Sequence, residues 1–401
     1  MRQSGSAQRR APTRPQGRHP GEGLHRRPPR SGDQGADRRA RGVEGSPRGP
    51  QARFAEVAEG RCQARASGRG TGSHVAVTAD EHAERFTLLR PLLFTIAYEV
   101  LGSAIEADDV LQDSYLRWAD VDLATVRDTK SYLARLVTRQ SLNALRASVR
   151  RREDYVGPWL PEPVLLDEND AAADVVLAES VSMAMLVILE TLTPDERVVF
   201  VLREVFGFSH HDIASAVGKS VPTVRQAVHR ARKHVQARRR RFEPADTATA
   251  ARITQQFMAA AMTGDMDGLL ALLAKDATLI ADGGGKAAAA RHPVVGGQTV
   301  AARLVNLFHR GRALPSLRIE TAHCNGAPAL VAYRGDRLEG VFLFEITDDE
   351  ITNIYAIRNP DKLLSVTVPR RLSRQREPGL TAGQAADDTR TGLTTPHHES
   401  M

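Results

Sequence analysis

One stretch of the chain, residues 220–233, carries the side chains best suited to bind a nucleic acid. Arginine, lysine, histidine, glutamine, serine and threonine side chains can hydrogen-bond to base edges or phosphates. Such groups recur along one predicted helix: Ser220, Thr223, Arg225, Gln226, His229, Arg230 and Lys233. The formal net charge of +7 also suits a polyanionic partner. The pattern predicts a DNA-binding helix, with its early residues at base edges and its later cations at phosphates.

Capping signals divide residues 192–241 into three short helices that would position this face. Caps and stops occur at Thr193, Pro194, Glu196, Ser209, Gly218 and Ser220. This order is typical of a helix-turn-helix, whose last helix enters the major groove. The alternative is a helical hairpin with a solvated charged face. The caps and the excess of positive charge favour DNA binding.

A second basic stripe is predicted on a helix from Thr129 to about Arg152. Steps of three or four residues place these side chains on one face: Tyr132, Arg135, Arg139, Asn143 and Arg146. An aromatic ring among cations suits unstacked bases of single-stranded DNA. Taken alone, Tyr132 would be interpreted as a half-buried packing residue.

The helix before this one is predicted to be acidic on its outer face. It follows the cap residue Ser103 and carries Asp108, Asp109, Gln112 and Asp113. By itself such a face is commonly a solvated surface. The order of these elements, an acidic helix, a basic helix and then the helix-turn-helix, favours a functional role for the acidic face over a merely solvated surface.

The residues EADDVLQDSYLRW (106–118), SYLARLVTRQSLNALR (131–146) and the helix-turn-helix resemble the bacterial extracytoplasmic-function, or group IV, sigma factors. The resemblance implies two all-α domains, a region 2 three-helix bundle and a region 4 helix-turn-helix. It implies that the acidic helix docks on the β′ clamp helices of RNA polymerase core and that region 4 meets the β flap. The stripe from Tyr132 to Arg146 would recognise and melt the −10 element, and the last helix would read the −35 element of promoter DNA. A sigma factor needs no catalytic residue, because the polymerase does the chemistry.

A third segment, residues 247–366, is predicted to have an α+β fold. Helices are expected in 247–273, with a break at Gly264, and in 298–308, followed by strands at 316–323, 329–333, 338–346 and 351–357. The helix after Gly264 is predicted to span Asp267 to Ala274. The order resembles the SnoaL-like cone fold, in which some members hold a small-molecule ligand in a pocket and some are enzymes.

The sequence DGGGK at 282–286 invites comparison with a phosphate-binding loop, but it lacks the spacing of a Walker motif. Asp276, Asp282 and His309 are candidates for an acid–base pair, yet nothing in the sequence brings them together. We therefore expect a structural turn at 282–286, no catalytic residues, and no metal or cofactor.

Three short motifs occur together in the chain. They comprise Trp159, Leu160, Pro161, Glu162 and Pro163; Asp282, Gly283, Gly284, Gly285 and Lys286; and Asn359, Pro360, Asp361 and Lys362, followed by a leucine. The trio resembles the subfamily of these sigma factors that carries a fused SnoaL-like C-terminal domain. The resemblance implies regulation in cis by that domain and contact between it and the linker motif. Lys286 is a candidate ion-pair partner for Glu162.

Composition suggests the domain boundaries. Residues 1–76 are rich in Arg, Gly and Pro and contain no Lys, so we expect disorder there; translation upstream of a true start in a GC-rich gene would produce such a segment. Folded domains are expected at 80–153, 178–242 and 247–366, with a linker at 154–177 and a disordered tail at 367–401. Only two cysteines occur and no apolar run is long enough to span a membrane, so we expect a cytoplasmic protein.

Two other functions remain open at this point. The chain could be a helix-turn-helix regulator with a ligand-sensing domain, or a SnoaL-like enzyme fused to a DNA-binding module. The acidic helix and basic stripe of the first domain argue against a simple regulator, which would not need them.

Overall fold

A computed structural model describes residues 72–166, 175–238, 245–312 and 316–374 of the chain. Its first folded segment consists of α1 (Gly72–Leu101), α2 (Ala104–Trp118) and α3 (Thr129–Arg152). Gly102 ends α1 with a φ of +69°, a left-handed conformation that favours glycine. The Ser103 side chain caps α2, as predicted. Because α1 begins at Gly72, the last five residues of the segment expected to be disordered are helical.

The second segment contains the predicted helix-turn-helix. Its helices are α4 (Val175–Ser180), α5 (Met183–Leu189), α6 (Pro194–Phe200), α7 (His210–Val217) and α8 (Val221–Arg238), with a π-helical turn at Val201–Val205. The Thr193 and Glu196 side chains form the predicted capping box of α6. Gly218 ends α7 with a φ of +68°. The local signals in the sequence therefore suffice to place these helices.

The two helical segments share one hydrophobic core. Buried side chains of α1, α2 and α3 pack with those of α6, α7 and α8 in a single cluster. Arg197 of α6 lies within it and is 1% exposed. Its Nε donates to the carbonyl oxygen of Glu99 at 3.0 Å, and its Nη1 to Glu190 at 2.6 Å. A buried guanidinium needs such partners, so Arg197 ties α6 to the end of α1.

The third segment places helices on one face of a mixed sheet. The helices are α9 (Thr247–Thr263), α10 (Met266–Leu272) and α11 (Gly297–Arg312). The strands are β1 (Leu273–Asp282), β2 (Val294–Val295), β3 (Leu317–Cys324), β4 (Ala327–Arg334), β5 (Arg337–Thr347) and β6 (Glu350–Ile357). The sheet order is β2-β1-β6-β5-β4-β3, with β1 parallel to β6 and the other neighbouring pairs antiparallel. The predicted α+β cone architecture is confirmed.

Strand β1 was not expected. The sequence prediction extended a helix to Ala274 and assigned no strand to the residues that follow, whereas the strand runs from Leu273 to Asp282. Leucine and alanine favour helix locally, and the register with β6 from Thr278 onward supplies the hydrogen bonds that decide the outcome. Asp282, at the end of β1, is thereby held beside the end of β6.

The second face of the sheet is covered by the linker and α5. Leu160 of the linker and Met183 of α5 pack on Val341, Leu343 and their neighbours in one buried cluster. The short helix α12 (Pro360–Leu363) follows β6, and Leu363 joins the same cluster. The third domain therefore packs against the linker between the two helical segments.

The predicted disordered tail is wrong for residues 367–374. The backbone N–H of Arg370 donates to the carbonyl oxygen of Leu165 at 2.9 Å, and Leu372 is 8% exposed. Leu372 packs in the shared helical core. The polar composition after Thr367 concealed these contacts, because they are made by isolated residues and by the backbone.

Glu99 in α1 gives a pH-dependent prediction for stability. Burial raises the pKa of its carboxyl group to about 8, against the opposing hydrogen bond from Ser180 and the charges of Arg197 and Arg374. Between pH 4.5 and about 8 the folded state therefore binds a proton that the unfolded state does not. The contribution of this proton to the free energy of unfolding is fully present below pH 4.5 and is lost as the pH rises through about 8.

We expect raising the pH from 5.5 to 8.5 to destabilise the wild type by roughly 3 kcal/mol more than it destabilises Glu99→Gln, because the buried carboxyl group loses its proton in that range. Denaturant unfolding at the two pH values measures it. Parallel pH profiles for the two proteins would contradict the assigned shift.

Candidate nucleic-acid interface and motif cluster

The predicted DNA-binding face of α8 is open to solvent. Val224, Ala227, Val228, Ala231 and Val235 are buried on the inner face. The outer face exposes Thr223, Arg225, Gln226, His229, Arg230, Arg232 and Lys233. The Ser220 Oγ lies 3.4 Å from the Thr223 amide at the start of the helix. The geometry thus presents a basic, hydrogen-bonding helix face that is available to a DNA groove.

Two cations of this face are tethered to neighbouring helices. Arg230 pairs with Glu196 of α6 at 3.1 Å, and Arg232 pairs with Glu204 at 2.8 Å. Both arginine side chains are about half exposed, so these pairs orient the guanidinium groups without removing them from water. Such pairs are weak and can yield to phosphate contacts.

The stripe on α3 is a single face, as predicted, but α6 and α7 lie against it. Arg135 and Arg139 each approach Ser215 of α7 at 3.4 Å, through its hydroxyl and its carbonyl oxygen. Arg146 pairs with Asp195 of α6 at 2.8 Å. Asn143 is exposed. Three of the five predicted single-strand-binding residues, the arginines, thus contact the helix-turn-helix domain.

Asp195 bridges the two domains. Its carboxylate contacts Arg146 of α3 and, at 2.9 Å, Lys219 at the turn of the helix-turn-helix. Although partial burial opposes the effect, hydrogen bonds and charges from Lys219 and Arg146 hold the pKa of Asp195 below its usual range. The carboxylate is therefore ionised at neutral pH and can join both cations.

Tyr132 is half-buried and its ring packs against Trp118 with centroids 5.6 Å apart. The packing expected for an isolated tyrosine is present, and it fixes the ring at the N-terminal end of the stripe. An anchored aromatic ring at a surface is also a platform on which a base can stack.

The acidic face of α2 is mostly exposed. Asp109, Gln112 and Asp113 point to solvent. Partial desolvation by its neighbours, together with the charges of Asp108 and Asp113, raises the pKa of Asp109 although the side chain remains exposed. Asp108 differs from the others, because Arg90 at 3.1 Å and Arg370 at 2.7 Å pair with it.

The three sequence motifs meet around one buried ion pair. Asp282 is 0% exposed, and its Oδ2 accepts from Lys362 Nζ at 2.7 Å and from the Leu160 amide at 2.9 Å. The Lys362 ammonium also donates to the Leu160 carbonyl oxygen and lies 3.2 Å from the centroid of the Trp159 ring. Burial lowers the pKa of Lys362 to about 8, although Asp282 opposes the shift. The predicted contact between the linker motif and the third domain is therefore present in detail.

Two residues outside the predicted set complete this site. The Tyr155 hydroxyl donates to Asp282 Oδ1 and accepts from Asn359 Nδ2 at 2.8 Å. Burial and then the hydrogen bond to Asp282 raise the pKa of Tyr155. The guanidinium group of Arg152 lies over the Trp159 ring, with its carbon 4.3 Å from the ring centroid. We call Tyr155, Trp159, Asp282, Asn359 and Lys362 the motif cluster.

The glycines of the 282–286 loop allow its close approach to this cluster. Gly284 has a φ of +56°, and a Cβ there would lie 2.3 Å from Asn359 Nδ2. The Lys286 amide donates back to the Gly283 carbonyl oxygen at 2.9 Å, so the loop closes as a turn. The structural turn expected at this position is present.

The proposed pair between Lys286 and Glu162 is wrong. Lys286 instead pairs with Asp361, and both side chains are more than half exposed. Glu162 lies at the start of α2, where its carboxylate accepts from Ser103 Oγ at 2.7 Å and from the amides of Ala104 at 2.8 Å and Ile105 at 3.1 Å. Unpaired amides at a helix start attract a carboxylate more strongly than an exposed lysine does.

A second junction, around Asn325, was missed by the sequence analysis. Its side chain accepts from the Val164 amide at 3.0 Å and donates to Tyr98 Oη at 2.7 Å and to the Val181 carbonyl oxygen at 2.8 Å. The Asn-Gly pair at 325–326 signals the β3–β4 hairpin. No local signal indicates that the side chain would join three domains.

The candidate acid–base residues do not converge. Asp276 and His309 are exposed, whereas Asp282 is buried in the motif cluster. On the helix-covered face of the sheet, Phe257 packs against Phe308 and Phe344, with ring centroids 6.5 and 4.8 Å apart. These rings belong to the hydrophobic core on that face of the sheet.

Within the described ranges, no helix is both long and apolar enough to cross a bilayer.

Comparison with protein families identifies both helical domains. Residues 86–151 match the family model for Sigma-70 region 2, and residues 182–235 match that for Sigma-70, region 4. The chain is similar to the ECF RNA polymerase sigma factor SigJ of Mycobacterium tuberculosis, with 34% identity over 287 residues, 69% of this chain and 91% of that protein. It is also similar to the probable ECF RNA polymerase sigma factor SigI of the same species, with 30% identity over 288 residues, 68% of this chain and 92% of that protein.

The architecture is shared as well. The crystal structure of the Mycobacterium tuberculosis extracytoplasmic function sigma factor SigJ superposes with a TM-score of 0.57 at 30% identity, covering 71% of this chain and 99% of that one. The relatives favour neither the isolated helix-turn-helix regulator nor the fused enzyme. Region 2, region 4 and the extent of the match together show that the chain belongs to the ECF RNA polymerase sigma factors, which direct RNA polymerase to specific promoters.

Proposed function

We propose that α8 reads the −35 element of the promoter. Its exposed face carries Arg225 and Gln226 near the N-terminal end, where a recognition helix meets base edges. Arg230, Arg232 and Lys233 lie further along the helix and suit phosphates. The tethers from Arg230 and Arg232 to acidic residues would exchange for phosphate oxygens on binding.

We propose that the α3 stripe recognises and melts the −10 element. This proposal is supported by the Tyr132 ring, which is fixed against Trp118 at the N-terminal end of the stripe and is followed by Arg and Asn side chains on the same face. Because α6 and α7 lie against this row, region 4 must move away before DNA can bind there. Melting costs several kcal/mol, and stacking of extruded bases on such a ring offsets part of it.

We infer further that the acidic face of α2 docks on the β′ clamp helices of the polymerase and that region 4 meets the β flap. The exposed carboxylates of Asp109 and Asp113 support the first assignment. In this proposal the protein acts in the cytoplasm with the polymerase and carries no catalytic group of its own. The two domains correspond to about 80–153 and 178–242.

We propose that the SnoaL-like domain, about 247–366, regulates the sigma domains in cis through the linker at 154–177. The buried pair of Asp282 and Lys362 supports this role, because both ions bind the linker backbone at Leu160. While the motif cluster is intact, the linker cannot extend and region 4 stays against α3.

Tyrosine 132 provides a test of promoter melting. Loss of one stacked base is worth about 1–3 kcal/mol, so we expect Tyr132→Leu to lower open-complex formation with core polymerase by roughly tenfold. Tyr132→Phe keeps the ring and should remain near the wild-type level. Permanganate footprinting on promoter DNA selected with the holoenzyme measures both, and a pre-melted −10 bubble should restore the leucine variant. Equal melting by the two variants would contradict the assignment.

Within α8, Arg225 and Lys233 form a matched pair for the −35 assignment. We expect Arg225→Ala to cost about 1–3 kcal/mol at the preferred sequence and to relax specificity there. Lys233→Ala should weaken binding to all sequences alike and lower the salt dependence. Holoenzyme binding to a set of single-base −35 variants separates them. The assignment fails if Arg225→Ala leaves the base preferences intact.

The ion pair of the motif cluster tests regulation. We expect Asp282→Asn or Lys362→Met, each of which leaves one buried ion unpaired, to release the linker and raise promoter-specific transcription by about three- to tenfold. Lys286→Ala breaks only an exposed pair and should change transcription by less than about twofold. Point variants are preferable to deletion, because removing the sheet exposes Leu160 and Met183. Unchanged transcription in both cluster variants would remove the regulatory claim.

A further inference from the structure

Residues 368–374 run back from the SnoaL-like domain across the sigma domains. Arg370 donates its backbone N–H to Leu165 at 2.9 Å, and the neighbouring Leu166 donates its own to His323 of β3 at 2.9 Å. The end of the described linker is thus held between the edge of the sheet and this segment. We call residues 368–374 the strap.

The side chain of Arg370 occupies a defined site on region 2. Its Nη1 pairs with Asp108 of α2 at 2.7 Å, and its guanidinium carbon lies 4.6 Å from the centroid of the Phe94 ring of α1. The side chains of Arg370 and Asp108 are only 13% and 16% exposed. A cation paired and stacked away from water in this way is held much more firmly than in an exposed pair.

The rest of the strap continues over the junction of regions 2 and 4. Leu372 is buried in their shared core. The Ser373 amide donates to Thr95 Oγ1 of α1 at 3.0 Å, and Arg374 donates to the Val205 carbonyl oxygen after α6 at 3.1 Å. Seven consecutive residues therefore join the linker, region 2 and region 4.

We propose that the strap closes the linker and covers part of the polymerase-docking surface, so that the strap and the polymerase compete for Asp108. Asp108 lies beside the exposed docking residues Asp109, Gln112 and Asp113. Arg90 of α1 pairs with its Oδ1 and Arg370 of the strap with its Oδ2, so a cation of the polymerase can reach Oδ2 only when the strap has left. This competition rests on the proposed docking role of α2, whereas closure of the linker does not.

Cys324 provides a readout of closure that needs no polymerase. It is 0% exposed and bridges to Leu165 of the linker, and burial raises the pKa of its thiol to about 12. In a Cys62→Ser background it is the only thiol of the chain. We expect Arg370→Ala to raise its labelling rate by a disulfide reagent at least about fivefold, because labelling requires the linker to open.

The second measurement is the affinity of the full chain for core polymerase. We expect Arg370→Ala to lower the Kd by about three- to tenfold, because a larger fraction of the protein is competent to dock. Thr95→Val, which removes the acceptor of the Ser373 amide and no charge, should shift both measurements in the same direction. Arg337→Ala removes an exposed arginine of the β4–β5 hairpin and should shift neither.

Unchanged Cys324 labelling in Arg370→Ala and Thr95→Val would overturn the proposal that the strap closes the linker. Faster labelling without tighter core binding would overturn the competition. The double variant Asp109→Ala/Asp113→Ala tests the docking face separately, because the acidic residue of α2 that pairs with Arg370 is Asp108. If that variant binds core as the wild type does, the docking assignment fails, and the labelling result still decides whether the strap closes the linker.

Discussion

The arrangement of the domains depends on the burial of the Asp282 and Lys362 charges beneath the linker. Taking a carboxylate and an ammonium out of water costs several kcal/mol each, and mutual attraction rarely offsets this alone. Here the remaining hydrogen bonds come from Leu160 and Tyr155, and the Trp159 ring lies over the ammonium. All three residues belong to the linker. The ion pair is therefore well compensated only while the linker is in place. Partial withdrawal of the linker would leave buried charges without partners, so we expect it to be either fully docked or fully released.

The contacts between region 4 and the α3 stripe are of a different kind. The polar ones are two long hydrogen bonds to Ser215 and one partly exposed ion pair, between Arg146 and Asp195. Exposed pairs contribute about 0–1 kcal/mol each. The stripe is thus covered by a weak local interface, and the strong interactions lie elsewhere, at the motif cluster and in the shared core. These polar contacts add little resistance to opening, so exposure of the stripe depends on release of the motif cluster and on separation of the core that α3 shares with α6 and α7.

Local signals in the sequence placed most of the elements. The capping residues Ser103, Thr193 and Ser209 each act where their spacing indicated, because a cap depends only on neighbours within one turn. Strand β1 was missed because its hydrogen bonds come from β6, some 75 residues later in the chain. The grouping of the three motifs was predicted from their resemblance to a family. The partner of Glu162 and the ordered residues 367–374 were not, because a carboxylate or an arginine in a polar stretch carries no information about which distant group it meets.

Glu162 has a consequence for the helix that it caps. Its carboxylate satisfies the amides of Ala104 and Ile105 at the start of α2, in a place where the helix dipole favours negative charge. The acidic helix is therefore capped by Ser103 and, for its first two amides, by a residue of the linker. If the linker departs, two amides lose their acceptor and the first turn of α2 becomes less stable. By thermodynamic reciprocity, any partner that binds α2 differently with its first turn formed or frayed must also shift the equilibrium of the linker. Binding of a partner to the outer face of α2 and displacement of the linker are therefore thermodynamically coupled.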